Sequence, residues 1–402
     1  CFWLYTSFTK RCIQPETTKP YIIFDDQGIC GGCRVAEEKE KIDWDERAIL
    51  LEKLVAPYKK ETGYDCIVPV SGGKDSHYQV YYVKEILGLH PLVVTFNHLD
   101  NSMTGIANLE NMISKLGVDL VRFTPNPQTV KKTCRHAIEL MADPFWHEHA
   151  GIMSVPTQMA VKYDIPLIIW GEQGYLDLVG MFSHNDFVEM NKKTRQEHMM
   201  RGYEPEDFVK DNKEGLTIRD LEFTQYPSDK VLEEKKIRGI YLGNYINWKP
   251  IDQTNLMIEK YGFMTDIKER TFNIYENAEC YFNDTVHDYM KYLKFGYNRC
   301  VDHASQLIRI GVINRDEGAY LANMYNQTDP DDKFVEFCKW IEMDPSIVRQ
   351  KALDYWEAYK GDDKFEPIKY VRENVRVNLF KVLYEETFTE NRRGLRTGRQ
   401  IL

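Results

Sequence analysis

The stretch CIVPVSGGKDSHYQVYYVKEILG (66–88) joins an apolar run to a turn of small residues holding one Lys and one Asp, then to a helical pattern. The apolar run suits a strand buried on both faces, and Gly88 directly after Leu87 suits a helix stop. Between them SGGKDS (71–76) fails the Walker pattern, because Lys74 is followed by Asp75 and no Gly stands five residues before Gly73. Two glycines after a buried strand and before a helix leave backbone amides at the positive end of that helix, flanked by the Ser71 and Ser76 hydroxyls. Such a turn is a socket for a pyrophosphate, whereas a bare strand-to-helix turn asks only for the glycines.

Outward from this stretch the rhythm repeats. LVVTF is followed by a helical pattern closed by Gly117, then by DLVRF and later LIIWG, which predicts an α/β fold with a parallel sheet and right-handed crossovers. Two covering helices are expected between residues 128 and 163, broken at Pro144 and Pro156. After Tyr175 the strand rhythm is lost. The polar stretch around EMNKKTRQEHMMRGYE reads as a helical insertion, and helices dominate from Tyr281, one of them begun by Asp344 and Pro345. The expected division is a segment with a Cys knuckle (1–60), a nucleotide-binding α/β domain (61–182), a polar insertion or lid (183–250) and a mainly helical C-terminal domain (251–402).

Of 402 residues, 52 are basic and 62 acidic, a formal charge of −10 that disfavours a polyanion as partner while leaving room for a local basic cleft. No apolar stretch is long enough for a membrane span. The nine cysteines are odd in number and scattered in a chain too large to need staples, so reduced thiols in the cytoplasm are expected.

Other segments carry candidate chemistry. WGEQG (170–174) ends a strand at the carboxyl edge, where α/β ligand sites gather; there Glu172 either holds Mg²⁺, positions a nucleophile, or caps a helix. Cys30 and Cys33 form a CxxC knuckle with Cys12 upstream, a set of three for a structural Zn²⁺ or simply free thiols. The run HNDFVEMNKKTRQEH offers Glu189, Arg195 and Glu197 to a substrate, or only a solvated face. YNRCVDHASQLIR offers Arg299, Asp302, His303 and Arg309 close in sequence; Asp302, His303, Gln306 and Arg309 fall on adjacent turns of one predicted helix, where Arg suits a sugar-nucleotide phosphate or carboxylate, or else Arg299 and Arg309 only tie down a helix end. The Arg-rich tail FTENRRGLRTGRQIL reads as a disordered end, with docking to a partner as the alternative.

SGGKDS in its strand-turn-helix setting resembles the PP-loop of the ATP pyrophosphatase superfamily, which cuts ATP between the α- and β-phosphates. The resemblance implies an ATP site at Ser71, Gly72, Gly73, Lys74, Asp75 and Ser76, with Gly171 at the neighbouring strand end. The end of the second strand, at Val94, Thr95, Phe96 and Asn97, would hold the adenine. Lys74, Asp75 and Glu172 would be the catalytic groups, with Mg²⁺. Together with RCIQPETTKPYIIFDDQGICGGC, WGEQGYLD, YLGNYINW and HDYMKYLKFGYNRCVDHASQLIRIG, the chain resembles the bacterial N-acetyl sugar amidotransferases. That family converts a sugar acetamido group to acetamidino during surface polysaccharide or nonulosonic acid assembly. The implied substrate is a sugar nucleotide or nonulosonic acid. Ammonia would come from a separate glutaminase working with a cyclase-like subunit, similar to the halves of imidazole glycerol phosphate synthase. A family-like CxxC would place a Cys at Thr9; its absence leaves Cys280, Cys300 or a His to complete a zinc site. The rivals are a tRNA-modifying amidating or thiolating enzyme and a non-catalytic nucleotide-binding scaffold; the acidic charge argues against the first.

Overall fold

The computed structural model describes residues 8–19, 21–210, 212–326, 329–360, 368 and 370; the Arg-rich tail lies outside them. Five strands, β1 (Cys66–Pro69), β2 (Pro91–Phe96), β3 (Asp119–Phe123), β4 (Leu167–Trp170) and β5 (Arg238–Tyr241), form one sheet in the order β3-β2-β1-β4-β5. Every pairing is parallel. The chain winds outward from β1 through β2 to β3, then crosses to the other side of β1 for β4. The crevice between the carboxyl ends of β1 and β4 is therefore the topological switch point, where open α/β sheets bind ligands.

β1, β2 and β4 are buried at every position, as continuous apolar runs in a doubly covered sheet should be. β5 was not legible. It is four residues long, opens with Arg238, and carries Gly239, where a Cβ would come within 2.8 Å of the Met190 Cβ. The polar stretch expected as an insertion thus also contributes an edge strand, and its helical pattern forms only the short turn Thr194–Met199.

The helix after the small-residue turn, Lys74–Tyr81, continues as a π-turn, Tyr82–Ile86, before Gly88 at φ +62°. The helices Met103–Leu116 and Pro127–Met141 follow β2 and β3. Pro156 does not break its helix: Trp146–Tyr163 runs through it. Interior proline costs about 3 kcal/mol. Here the helix is buried along most of its length, and Met153, Val155 and Ala160 pack with Ile67, Val94 and Ile168 of the sheet, a gain large enough to offset that cost.

The C-terminal helices Asp288–Phe295, Asp331–Ile341 and Pro345–Lys360 share a core with Val130, Cys134 and Ile138 of Pro127–Met141. Asp344 begins the last of them, accepting a hydrogen bond from the Ser346 amide at 2.8 Å. No helix among the described residues is long and apolar enough to cross a membrane.

Phe96 lies between Phe123 and Phe223, its ring 6.2 and 5.5 Å from theirs and nearly parallel to both. A Cβ on Gly151 would stand 2.6 Å from its ring, so the helix crosses the sheet on this side chain. Phe96→Ala is expected to lower stability by about 3–5 kcal/mol in urea unfolding; a loss below 1 kcal/mol would mean that the stack carries little of the packing.

Candidate functional site

The 71–76 turn leaves β1 at the switch point. Gly72 adopts φ +94°, and a Cβ there would meet the Gly105 carbonyl oxygen at 2.8 Å, so only glycine fits. Gly73 is the N-cap of Lys74–Tyr81. Within the turn the Ser71 amide donates to Ser76 Oγ at 2.8 Å, and the Gly73 amide donates to Ser71 Oγ at 3.2 Å. Ser71 Oγ donates in turn to Glu279 Oε1 at 2.8 Å. That carboxylate stands over the turn, and its Oε2 is buried without a hydrogen-bond partner.

Lys74 is 4% exposed. Its ammonium lies 2.7 Å from Asp75 and 3.0 Å from Glu276. Burial alone would pull the Lys74 ammonium down, but Asp75, Glu276 and Glu172 outweigh it and hold it well above the ordinary lysine value. Glu172 responds in the opposite sense: burial, then the charges of Asp75 and Asp177, push its carboxyl up to about 8 against the pull of Lys74. Glu172 is not a helix cap. Gln173 takes that role for Gly174–Val179, its Oε1 accepting from the amides of Tyr175 at 2.8 Å and Leu176 at 3.1 Å, which leaves the Glu172 carboxyl free for chemistry.

Beside this cluster opens a cavity of about 620 Å³, with Glu172 and Glu276 in its wall. Of the substrate residues expected from sequence, Arg299, Asp302 and His303 line it, together with Glu197 and Gln306. It also presents Lys19, Arg201, Lys291 and Lys294, which the sequence did not single out; Lys291 and Lys294 lie three apart on Asp288–Phe295, and that spacing was their only signal. Arg201 pairs with Asp143, and Lys291 pairs with Asp302. Lys294 and Arg299 form no ion pair among the described residues. Burial and the neighbouring Arg201 push the Lys294 ammonium well below the ordinary lysine value. The cavity thus holds Arg299 and a lysine that gives up its proton more readily than usual, and an anionic guest would satisfy the first and restore charge to the second. His303, whose Nδ1 lies 2.8 Å from Thr271 Oγ1, is held neutral by burial and by Arg299, Lys291 and Lys74.

Glu189, Arg195 and Arg309 are not among the lining residues. Glu189 holds Arg238 at 2.6 Å, and Arg195 holds Asp229 at 2.8 Å. Arg309 donates to the Asp177 carbonyl oxygen at 2.6 Å and lies 3.8 and 3.7 Å from the sulfurs of Cys12 and Cys30. At the end of β2, Thr95 and Asn97 are buried; Asn97 accepts from the Leu99 amide and donates to Thr124, while Phe96 is core. Their side chains shape the loop, leaving only backbone for a ligand. Gly171 packs within reach of Gln79 and Trp248, and its carbonyl oxygen accepts from the Gly243 amide at 3.1 Å.

Cys12, Cys30 and Cys33 do converge, fully buried, with ligand atoms within 4.8 Å of one another and Cys12 and Cys30 sulfurs 3.6 Å apart. Zinc–sulfur bonds of about 2.3 Å in a tetrahedral shell demand nearly that separation, so a buried Cys₃ cluster able to hold a metal such as zinc is present. Although burial opposes it, contacts with Cys30 and Cys33 and the Arg309 charge hold the Cys12 thiol well below its ordinary value. Neither Cys280 nor Cys300 joins the group. Its open side faces Arg309, and a Cβ on Gly32 would stand 2.5 Å from that guanidinium, which explains why CGGC carries a glycine there. The knuckle opens the helix Gly31–Lys39 with Cys30 as N-cap, and Lys39 lies 3.6 Å from Asp177 on the helix that follows Glu172.

Residues 269–373, which include Glu276, Lys291, Lys294, Arg299 and the rest of the helical wall, match the family model described as the C-terminal domain of WbpG-like LPS biosynthesis proteins. An uncharacterised protein of Methanocaldococcus jannaschii is 31% identical over 111 residues, 27% of this chain and 40% of the relative; the chain spans less than half the length of that curated relative. The domain match supports a place in a polysaccharide-biosynthesis family.

Glu172 keeps its proton in the folded chain up to about pH 8, against 4.5 for an ordinary glutamic acid. Between those values the fold binds a proton that the unfolded chain has lost, so stability falls as pH rises through the window. Glu172→Gln removes this penalty. Its melting temperature should equal the parent's near pH 4.5, pull ahead by several degrees by pH 8, and gain nothing further above it; a difference independent of pH would contradict the raised carboxyl.

Proposed function

We propose that this chain is an ATP-dependent amidotransferase that converts an acetamido group of an anionic sugar to acetamidino. The observation that carries the proposal is the shared wall: Glu172 and Glu276 both face Lys74 at the phosphate turn and border the cavity whose other side presents Lys294 and Arg299. A sugar nucleotide or nonulosonic acid seated on those cations would put its neutral end toward ATP. The WbpG-like LPS biosynthesis match over that wall adds support for a sugar of the cell surface.

An amide carbon is a weak electrophile with a poor leaving group. The amide oxygen attacks the α-phosphorus of ATP, and pyrophosphate leaves toward the Ser71, Gly72 and Gly73 turn, where backbone amides and Lys74 offset its charge. Ammonia then adds to the imidate carbon, and the oxygen departs with AMP. Glu172 holds its own proton below about pH 8 when the site is empty, so it would take the proton that ammonia sheds only after losing its own to solvent beside a cation such as Mg²⁺. Asp75, Glu172, Glu276 and Glu279 are oxygen donors suited to Mg²⁺, and the unpartnered Glu279 Oε2 fits a cation. They do not converge as one ligand group, so the ion would share one or two of them with the phosphates. Bound there, it would neutralise phosphate charge. A glutaminase with a cyclase-like partner would supply the ammonia.

The test gives purified chain ATP, Mg²⁺, ammonium and a panel of di-N-acetylated nucleotide sugars and nonulosonic acids, and seeks by mass spectrometry the product in which O is replaced by NH. One such product, formed with AMP in equal amount, is expected; no product from any sugar, or AMP released only when RNA is supplied, would overturn the proposal. Lys74→Gln should slow AMP formation by about 100-fold or more, and an unchanged rate would remove Lys74 from the mechanism.

A further inference from the structure

A second group of buried ligating side chains lies apart from the cysteines, at the loop that follows β2. His98, Asp100 and Glu148 place their ligand atoms within 4.8 Å of one another. They are 7%, 3% and 6% exposed, so water does not solvate the two carboxylates. The loop supplies His98 and Asp100, and the first turn of Trp146–Tyr163 supplies Glu148.

The arrangement leaves specific atoms unsatisfied. His98 Nδ1 and Glu148 Oε1 face each other at 3.7 Å, beyond hydrogen-bonding distance, and both are buried without a hydrogen-bond partner. The other Glu148 oxygen is fixed by Asn283 Nδ2, which donates to it at 2.5 Å. Asp100 is fixed as well, accepting from the amides of Phe282 at 2.5 Å and Asn283 at 2.6 Å. The contact from Asn283 uses one lone pair of Glu148 and leaves that carboxylate able to bind once more. Burying a Glu148 oxygen and a His98 nitrogen that face each other without partners is costly unless something enters between them. Bonds of about 2.0–2.2 Å from one ion to nitrogen and oxygen ligands separate those ligands by about 3.5 Å, close to the spacing found.

We infer that His98, Asp100 and Glu148 form a second metal site, for a divalent ion of the Mn²⁺, Fe²⁺ or Zn²⁺ class. The imidazole disfavours Mg²⁺ and Ca²⁺, which take oxygen ligands, and the lack of sulfur distinguishes this site from the Cys12, Cys30 and Cys33 cluster. Two carboxylates balance the ion's charge. Burial and the neighbouring Asp100 push the Glu148 carboxyl well above its ordinary value in the absence of an ion, so a divalent ion would displace a proton from it.

The site has a structural consequence. The Tyr281 amide donates to the Asp100 carbonyl oxygen at 2.8 Å, the Ser102 amide donates to the Glu279 carbonyl oxygen at 2.9 Å, and Asn101 and Cys280 form a bridge. The loop bearing Asp100 is therefore stitched to the segment that holds Glu279 over the phosphate turn. An ion joining His98 and Asp100 to Glu148 anchors that segment to the helix crossing the sheet, so the site is a positioning device and touches no substrate.

The full chain, purified with any affinity tag removed, is assayed for bound metal by mass spectrometry alongside Cys30→Ser, Glu148→Gln and His98→Ala. One equivalent of metal should remain in Cys30→Ser and disappear when Glu148→Gln is added. Metal content unchanged by Glu148→Gln, or abolished entirely by Cys30→Ser, would overturn the inference. Because His98→Ala risks misfolding, a second measurement uses Co²⁺ added to chelator-stripped Cys30→Ser protein. Visible ligand-field bands are expected without thiolate charge-transfer absorption, and with a rise in melting temperature that Cys30→Ser/Glu148→Gln lacks. Equal responses from the two variants would overturn the site independently of any enzymatic activity.

Discussion

A lysine ammonium buried at the first turn of a helix must be compensated, and the way this chain does so organises the whole region. Lys74 sits where the amides of the 71–76 turn and the helix N-terminus already favour negative charge. Asp75 and Glu276 neutralise it, with Glu172 close by, and each arrives from a different part of the chain: the helix itself, the segment before the C-terminal helices, and the end of β4. Holding those groups around one cation requires β1 and β4 to be neighbours, which the crossover at the switch point provides. Burial first, and then the charges of Asp75 and Asp177 against the pull of Lys74, keep Glu172 protonated at neutral pH.

The surrounding parts brace this cluster. The cysteine knuckle anchors Arg309, whose hydrogen bond to Asp177 steadies the helix following Glu172. The loop after β2 holds Glu279 over the glycines. Neither feature touches the cavity, yet each fixes an element that ends in a charged group of the site. Under the proposed function, cluster residues drawn from distant positions in the chain would let the pocket separate two jobs, holding phosphate charge on one side and a sugar's anionic group on the other.

Much of this was legible in the residues and some was not. Runs such as CIVPV and LVVTF announce buried parallel strands because they are short, rich in β-branched residues and bounded by turn signals. The small-residue turn and CGGC were visible because glycine there answers a steric demand, at Gly72 from the Gly105 carbonyl and at Gly32 from Arg309. β5 escaped because RGIY is too short and too mixed for periodicity. Pro156 misled because propensity yields to the burial of a long helix against the sheet. Arg309 and Arg299 share a helix and looked alike, but ten residues of helix turn one to the sulfurs and the other to the cavity. Glu276, Glu279 and Glu148 had no local pattern at all, since their partners lie more than forty residues away, and His98 with Asp100 makes only a pair two residues apart.

The central claim is that the turn after β1 receives pyrophosphate, so that chemistry occurs at the α-phosphorus. Phosphorus NMR of the reaction with ATP, Mg²⁺, ammonium and an accepting sugar tests it directly. Resonances of AMP and pyrophosphate should grow in equal amounts with no ADP; ADP and inorganic phosphate as the products would contradict the account, because cleavage would then lie at the γ-phosphorus, for which this turn lacks the Walker arrangement.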